Sequence, residues 1–469
     1  MLAKVVSRLV ERKMLANVGS PECQLAYLKG HGTRDNVLLL NSIIDKYKAK
    51  GIYVTFVDFT AAFDSIDRPR LIDKLRSKEA LDDTFLNFLS AMLTGVNAAV
   101  KGTVHKWFNE GLGVKQGDPA GPRVFVTYIH DLPDAVCPND ARSREHATFL
   151  INQIMKCLLW ADDLVLISTD AQHMQVQVNA LEAYCIANKL CVNTKKTKVM
   201  YVNTRANSTS RLHSITYRGT KLEYVDKYKY VGVWIDKRGS YDTQATELLS
   251  KATSCMYMCM SKCRSIAFHC PPRLRVTLFK AYVIPHFTYA CEVLPYTRKH
   301  VDSMNKVILK FARWATGLPS NACSNAVLRE AGLRPIEYDM LQARMNYFLL
   351  IKSRSSDHPT NLALADILQR SSTSSLFKWY NHISGAFAKL ACGPLLANPC
   401  ASNSSKSTIK NVIQECWLRE GGGTAADIEL GSMYSHHLRC IRNNDGTFGN
   451  VKCMKLNVLA GPACSIRMQ

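Results

Sequence analysis

The sequence predicts an α+β domain, followed by an all-helical region and a poorly defined C-terminal region. Short runs rich in Val, Ile and aromatic residues, typical of β-strands, alternate with helical stretches in the first half of the chain. Beyond residue 241 these runs almost disappear, and beyond residue 353 the helical periodicity weakens while Ser, Asn and Gly increase. We therefore expect an α+β domain at 1–238, a helical region at 239–352 and a region of unknown role at 353–469.

The individual elements follow from periodicity and from the Gly, Pro and Asn residues that separate them. A helical pattern covers most of 1–50, with a break at 19–21, and continues at 66–95, 121–131 and 171–188. Strands are expected at 51–57, 98–108 (a hairpin), 158–168 (a hairpin), 190–193, 199–202 and 228–235, with a surface loop at 133–148. Further helices are expected at 243–263, 272–292, 298–316 and 322–352.

Composition limits the class of protein. The 469 residues carry a formal net charge of +22, which indicates nucleic acid as the first partner and an anionic membrane surface as the second. No apolar run reaches the roughly 18–20 residues of a membrane span, and the N-terminus lacks the apolar core of a secretion signal. The 17 cysteines show no repeated Cys-x-x-Cys spacing, so we expect reduced thiols rather than disulfides or zinc.

Two adjacent carboxylates, Asp162 and Asp163, interrupt the apolar run 158–167. Burying two ionised carboxylates costs several kcal/mol unless a cation or partner neutralises them. A third, Asp58, ends the apolar strand at 51–57. Three such carboxylates could hold two Mg²⁺ ions for an in-line nucleotidyl transfer. The alternative is that the Asp pair forms a solvated turn and Asp58 caps a helix.

Other polar segments could contribute to the same chemistry. Gln116 and Gly117 precede a predicted helix and could bring an amide and a close backbone to a base and sugar. The basic residues at 195–198 could reach a triphosphate or form a solvated turn. Phe63 could stack beneath a sugar or belong to the core.

Five segments, in this order, resemble the palm motifs of reverse transcriptases of LINE-type (non-LTR) retrotransposons. They are 56–66 (FVDFTAAFDSI), 113–122 (GVKQGDPAGP), 161–163 (ADD, preceded by Trp160 where Tyr or Phe is commoner), 190–198 (LCVNTKKTK) and 228–232 (YKYVG). Residues 327–336 (VLREAGLRPI) resemble the segment that follows the thumb in these elements. The resemblance covers roughly residues 1–350.

This resemblance implies a right-hand polymerase, with partial fingers and a palm at 1–238 and a helical thumb with post-thumb helices at 239–352. The implied activity is RNA-directed DNA synthesis, in which a DNA 3′ end is extended on an RNA template with dNTP substrates and two Mg²⁺ ions, or Mn²⁺. Asp58, Asp162 and Asp163 would be the metal ligands. Lys196 would protonate or stabilise the pyrophosphate leaving group.

The same resemblance assigns the substrate contacts. Phe63 would close the space under the sugar 2′ position and so favour deoxynucleotides. Gln116 and Gly117 would line the nucleotide and template site, and Lys29 would contribute charge near the template or triphosphate.

The implied macromolecular partners are an RNA template and a DNA primer. A basic stripe on the helix at 298–316 suits backbone contacts to the RNA–DNA hybrid, although it could also be a solvated face. The stripe consists of Lys299, Lys306, Lys310 and Arg313. We expect no membrane association and no obligate protein partner, and a nuclear or cytoplasmic ribonucleoprotein.

Some positions depart from the family pattern. The resemblance begins inside the fingers, so we expect the upstream fingers segment and an endonuclease to be missing. Leu28 and His31 stand where arginines usually flank a glycine, and Lys29 lacks the planar fork of Arg. Ala120 and Gly121 replace the usual Leu-Ser.

Three alternatives compete with this interpretation, and the first two of them stay open. The first is a decayed remnant that binds nucleic acid without turnover. The second is another reverse transcriptase, such as an intron maturase or telomerase, but no maturase-type or dedicated RNA-binding domain is visible. The third, an Asp-x-Asp phosphatase, is disfavoured by Thr60, which stands where the second Asp would be.

Overall fold

The computed structural model divides the chain into two compact units. The first consists of Met1–Ser240 and Ser356–Arg370, and the second of Tyr241–Ser355 and Ser371–Gln469. The residues that the structure describes are 2–94, 97–99, 107–109, 111–137, 145–151, 153–204, 213–265, 270–370, 372, 374–397, 399 and 402–420. The part of the predicted C-terminal region at 421–469 lies outside them.

The helices and strands alternate in the first unit, and the second unit is helical. The helices are α1 Leu2–Val18, α2 Thr33–Tyr47, α3 Arg68–Ser77, α4 Asp83–Leu93, α5 Gly121–Tyr128, α6 Leu132–Val136, α7 Ala171–Ala187, α8 Asp242–Ser265, α9 Pro272–Tyr282, α10 Ile284–Thr288, α11 Arg298–Thr316, α12 Ser324–Glu330, α13 Ile336–Lys352, α14 Pro359–Leu368, α15 Ser375–Lys389, α16 Pro394–Ala397 and α17 Asn403–Glu420. The strands are β1 Ile52–Val57, β2 Asn97–Ala99, β3 Trp107–Asn109, β4 Thr148–Leu150, β5 Gln153–Met155, β6 Leu158–Trp160, β7 Asp163–Ser168, β8 Lys198–Val202, β9 Thr216–Tyr217, β10 Thr220–Lys221, β11 Glu223–Tyr224, β12 Lys227–Tyr230 and β13 Val233–Asp236.

A five-stranded sheet in the order β11-β8-β1-β7-β6 forms the centre of the first unit. β1 pairs antiparallel with both β7 and β8, and every residue of β1 is buried. Its Val, Ile and aromatic residues suit a central strand that is covered on both faces. Helix α7 packs against β7, and α2 packs against β6. The sheet therefore fixes the ends of β1, β6 and β7, where the predicted carboxylates lie.

The predicted hairpins at 158–168 and 98–108 are confirmed by the pairing of β6 with β7 and of β2 with β3. The strand predicted at 228–235 was wrong: it is a hairpin of β12 and β13. Val231 and Gly232 form its turn with φ of +39° and +85°. A type I′ hairpin turn, the kind with positive φ at both central positions, rarely has a β-branched residue in the first of them, so the sequence pattern concealed this turn.

Three other predicted segments differ in detail. The helical segment 66–95 is two helices, because Glu79 has a left-handed φ of +50° and Asp82 starts α4 by accepting a hydrogen bond from the Phe85 amide. The loop predicted at 133–148 contains most of α6 and the first residue of β4, and 138–144 lie outside the described residues. The strand predicted at 190–193 is reduced to an isolated bridge between Phe59 and Val192.

Residues 356–370 belong to the first unit although the chain enters the second unit before them. Helix α14 packs on α2, and two ion pairs hold it there. Asp366 Oδ1 lies 2.6 Å from Lys46 Nζ, and Arg370 Nη1 lies 3.0 Å from Asp45 Oδ2. Asp366 is 4% exposed, so these pairs are largely shielded from solvent. Part of the predicted C-terminal region thus completes the first unit.

The second unit has its own helical core, in which Phe279 of α9 stacks on Phe311 of α11 with ring centroids 4.1 Å apart. Met304 and Ile308 of α11 are also buried, as the apolar face of this helix predicts. The 13 cysteines among the described residues are all free thiols. No helix in the described part of the chain is long and apolar enough to cross a membrane.

Candidate active site

The strand register brings Asp58, Asp163 and Lys196 to one end of the sheet. Val57 pairs with Leu164, so the next position along β1, Asp58, lies beside Asp163 at the start of β7. On the other side, Phe56 pairs with Lys198, and Lys196 therefore lies level with Asp58. The predicted carboxylates thus meet because three antiparallel neighbours end or begin at the same edge.

The Asp162 side chain comes from the turn between β6 and β7. Trp160 pairs with Asp163, and Ala161 adopts a left-handed φ of +56°. The buried side chain of Gln24 bonds both backbone groups of Ala161: its Nε2 donates to the carbonyl oxygen and its Oε1 accepts from the amide, each at 3.0 Å. The turn that carries both aspartates is therefore held from the N-terminal segment.

The site is electrostatically crowded. Burial, reinforced by the negative charges of Asp162 and Asp58, raises the pKa of Asp163 to about 6. Burial first and the charge of Asp58 second also raise the pKa of Asp162. A bound cation would relieve this repulsion and lower the pKa of both carboxyl groups.

Lys196 supplies a positive charge at the edge of this cluster. Its Nζ lies 3.8 Å from Asp58 Oδ2, and its side chain is 68% exposed. The backbone around it is fixed, since the amide of Asp58 donates to the hydroxyl of Thr197 and the amide of Asn193 donates to the carbonyl of Asp58. The exposed ammonium can thus reach a ligand from an anchored loop.

A cavity of about 520 Å³ lies next to the Asp162 carboxylate. Its lining brings together four of the predicted site residues: Phe63, Gln116, Gly117 and Asp162. The Phe63 ring stacks on Phe125 of α5 with centroids 4.6 Å apart, which fixes its orientation toward the cavity. The cavity therefore suits a polar ligand with one flat or apolar face. The half-buried ring of Phe63 would contact that face, and the amide of Gln116 and the carboxylate of Asp162 would contact the polar groups.

The opposite wall is the loop 114–119 before α5. Gly117 has φ of +82° and faces open space, and Gln116 is exposed. Gly113 at the base of the loop has φ of +75°, and its amide donates to the carbonyl of Ile66. Asp118 accepts a hydrogen bond from the buried hydroxyl of Ser7 in α1, which ties the loop to that helix.

The structure does not bring Lys29 into this group. Lys29 is exposed in the turn before α2 and is not among the residues that line the cavity. Beside it, His31 faces His358, and their Nε2 atoms lie 2.9 Å apart. The segment 28–31, which departs from the family pattern, thus contacts the N-terminus of α14 through His31.

Three residues near the site were not predicted as site residues, although Tyr228 opens the motif segment 228–232. Tyr27 has φ of +61° and is 47% exposed, and burial followed by the Asp162 charge raises its pKa. Tyr228 stacks on Phe56, and burial followed by the charges of Asp163 and Asp58 raises its pKa to about 12. Gln24 is the third. An exposed aromatic directly after the apolar pair at 25–26 was a local signal for Tyr27, whereas Gln24 had none.

The donor set fits a hard divalent cation, because Asp58, Asp162 and Asp163 offer only carboxylate oxygens in a partly buried position. Within the described residues, no three His, Cys, Asp or Glu side chains form a group that could hold a metal ion unaided. Oxygens of a bound substrate would therefore have to complete the coordination, as is usual for Mg²⁺.

In the second unit, three exposed lysines follow one face of α11. These α11 lysines are Lys299, Lys306 and Lys310. Arg313, the fourth member of the predicted stripe, is half-buried, and its guanidinium donates to the carbonyl of Ala322 at 3.4 Å. The exposed stripe is therefore shorter than predicted.

The sequence comparisons identify related proteins. Residues 1–235 match the family model described as reverse transcriptase (RNA-dependent DNA polymerase). The chain is 26% identical over 329 residues to the retrovirus-related Pol polyprotein from type-1 retrotransposable element R2 of Nasonia vitripennis, covering 66% of this chain and 30% of that protein. It is 22% identical over 344 residues to the RNA-directed DNA polymerase from mobile element jockey of Drosophila funebris, covering 68% and 35%. The chain thus spans about a third of the length of these curated relatives.

Among solved structures, the chain is similar to telomerase from Candida albicans in complex with a fragment of telomeric RNA. The match has 12% identity and a TM-score of 0.42, and it covers 70% of this chain and 58% of that one.

Proposed function

The chain belongs to the reverse transcriptase (RNA-dependent DNA polymerase) family, and from that premise we propose that it extends a DNA 3′ end on an RNA template as part of a non-LTR retrotransposon. The observation that carries the proposal is the meeting of Asp58, Asp162 and Asp163 at one sheet edge beside the 520 Å³ cavity. The predicted motif residues converge there from segments more than 100 positions apart in the sequence.

In this proposal the three carboxylates would hold two Mg²⁺ ions, with Mn²⁺ as a substitute, and such ions would activate the attacking oxygen and stabilise the leaving phosphate. The primer 3′ hydroxyl loses its proton to water as its oxygen forms a bond to the α-phosphorus of the dNTP, and the bond from that phosphorus to the pyrophosphate oxygen breaks. Lys196, exposed and anchored beside Asp58, donates a proton or a charge-assisted hydrogen bond to the departing pyrophosphate.

The cavity would hold the incoming nucleotide. Phe63, fixed by its stack on Phe125, would exclude a 2′-hydroxyl, and the amide of Gln116 would bond the base or sugar. Gly117 leaves open space beside it, so the template or nucleotide can approach the backbone closely. The α11 lysines would contact phosphates of the RNA–DNA hybrid. We place the protein in a nuclear or cytoplasmic ribonucleoprotein.

The experiment is primer extension on poly(rA) with oligo(dT), dTTP and Mg²⁺, comparing the chain with Asp162→Ala. Extension by the wild type that disappears in the variant supports the proposal. No extension by either protein, with salt-sensitive binding of the hybrid retained by both, contradicts it.

A second candidate is a remnant that binds nucleic acid without turnover. The observation that favours it is the contact between His31 and His358, since a side chain that stands where an arginine is usual faces another histidine rather than the cavity. The same assay separates the two functions, because only the enzyme lengthens the primer.

A further inference from the structure

We propose that Gln24 is a positioning residue that holds the Asp162–Asp163 turn in the shape needed to bind metal. This inference rests on the proposed function, because it concerns the same carboxylates. It goes further by assigning a role to a side chain outside the five motif segments.

The N-terminal segment runs beside β6 as a short parallel partner. The amide of Leu159 donates to the carbonyl of Cys23 at 3.0 Å, and the amide of Leu25 donates to the carbonyl of Leu159 at 3.4 Å. After Ala26 the backbone departs from this pairing, because Tyr27 takes the left-handed φ of +61°. Backbone pairing therefore stops before it reaches the turn that bears the two aspartates.

The carboxamide of Gln24 replaces the missing backbone partner. It is fully buried, and it bonds the amide and the carbonyl of Ala161 as an adjacent peptide group would. Its Oε1 also accepts from the amide of Ala26 at 3.1 Å, which fixes the rotamer of the side chain. Only a primary amide of this length supplies both a donor and an acceptor here.

The turn needs such support for two reasons. Ala161 has a left-handed φ without being glycine, a conformation in which its Cβ crowds the following carbonyl oxygen. In addition, the carboxylates of Asp162 and Asp163 repel each other and that of Asp58. Any rotation of the turn that moves these carboxylates apart would relieve the repulsion. The hydrogen bonds of Gln24 oppose both tendencies, so the carboxylates stay together before any cation binds.

Asn36 offers an instructive contrast in the same region. Its Nδ2 donates to the carbonyl of Leu159 at 2.9 Å and to the hydroxyl of Tyr230 at 3.0 Å. It therefore supports β6 one step before the turn and does not bond Ala161. Gln24 is the side chain that reaches the peptide directly preceding the aspartates.

The test compares three full-length proteins: wild type, Gln24→Met and Gln177→Met. Both substitutions remove a buried carboxamide at nearly constant volume, and Gln177 lies on α7, away from the turn. Mn²⁺ binding is measured by electron paramagnetic resonance with dTTP present and no primer, against Mn²⁺ and dTTP without protein, and kcat and KM for dTTP are measured by primer extension. For Gln24→Met we expect roughly 10–100-fold weaker Mn²⁺ binding, as for other groups that orient metal ligands. We also expect a comparable loss in kcat with little change in KM, and Gln177→Met should match the wild type in all of these quantities.

Equal Mn²⁺ binding and kcat in folded Gln24→Met and Gln177→Met would overturn the inference. If Gln24→Met does not fold, Ala161→Gly is added, because glycine adopts the left-handed φ without strain. A double variant that regains the fold supports the inference, and one that stays unfolded overturns it. A wild type that binds Mn²⁺ but does not extend primers, while Gln24→Met binds Mn²⁺ weakly, contradicts the proposed function and leaves the role of Gln24 supported.

Discussion

The ammonium of Lys196 lies 3.8 Å from the nearer carboxylate oxygen of Asp58, at the point where β1 ends. With the lysine side chain 68% exposed, this pair contributes little to folding, since exposed ion pairs are worth about 0–1 kcal/mol. Under the proposed function, its position beside the predicted metal ligands would give Lys196 a role in nucleotide addition instead. A substitution at Lys196 should therefore change activity without changing stability.

We predict that Lys196→Met slows nucleotide addition roughly 10–100-fold, because the leaving group loses its positive partner. The melting temperature should stay within about 1 °C of the wild-type value. Single-turnover extension and a thermal melt measure the two quantities. Lys195→Met is the control, since Lys195 is also exposed but lies one position earlier in the loop. Equal rates for the two variants would exclude the role of Lys196.

Phe63→Val should relax discrimination against ribonucleotides. The variant opens space in the cavity wall, so we expect the ratio of kcat/KM for dTTP over UTP to fall roughly 10–100-fold. Phe125→Leu removes the ring that Phe63 stacks on but does not line the cavity. Because Phe125 orients Phe63, this comparison variant should lower the melting temperature and also reduce the discrimination, but less than Phe63→Val does. The prediction is wrong if both variants select substrates like the wild type.

The raised pKa of Asp163 predicts a pH-dependent stability in the absence of metal. The folded protein holds this proton up to about pH 6, whereas the unfolded chain releases it near pH 3.8. The resulting stabilisation is complete below about pH 4 and is lost as the pH rises through 6. Asp163→Asn should therefore melt a few degrees higher than the wild type at pH 7.5, after discounting for solvent screening, and the difference should shrink toward pH 4. Thermal melts in EDTA at both pH values measure it, and a difference independent of pH would contradict the assignment.

Gly113 and Gly117 should tolerate alanine very differently, although both have positive φ. A Cβ on Gly113 would lie 2.7 Å from the backbone of Asp64, whereas one on Gly117 would meet no atom within 4 Å. We expect Gly117→Ala to cost about 1 kcal/mol from the strained backbone alone. Gly113→Ala must also displace the segment after β1, so its urea midpoint should fall further. Equal midpoints would mean that the Gly113–Asp64 contact is easily relieved.

The α11 lysines should determine part of the salt dependence of hybrid binding. Replacing all three with Ala should reduce the slope of log K against log salt by roughly 2–3, at about 0.7–0.9 per phosphate contact. Fluorescence anisotropy with a labelled RNA–DNA hybrid measures the slope. The control triple variant changes Lys389, Lys406 and Lys410, which are also exposed in the second unit. An equal change in slope for both triples would show that only net charge matters.

The sequence shows locally which residues end or begin strands, because Asp58 and the Asp162–Asp163 pair are flanked by apolar runs. That these residues lie together, with Lys196 beside Asp58, depends on the strand register, which only the structure shows. Their role as metal ligands stays a prediction.

The features that could not be predicted depend on contacts between distant residues, which leave no recognisable pattern in the local sequence. The bonds of Gln24 join residues 137 positions apart through a side chain that looks ordinary in the sequence. The hairpin turn at Val231 contradicts the strand preference of valine, and tertiary packing overrides that preference. Helix α14 has a pattern too short to show which unit it completes.

The return of residues 356–370 to the first unit has a consequence for synthesis of the protein. The contacts from Asp366 to Lys46 and from Arg370 to Asp45 cannot form until the ribosome has passed residue 370. At ~5–20 residues per second, translation from the end of β13 to that point takes roughly 7–27 s. During that interval α2 lacks the helix that packs on it, so the first unit is completed only after residues 241–355 of the second unit have been synthesised.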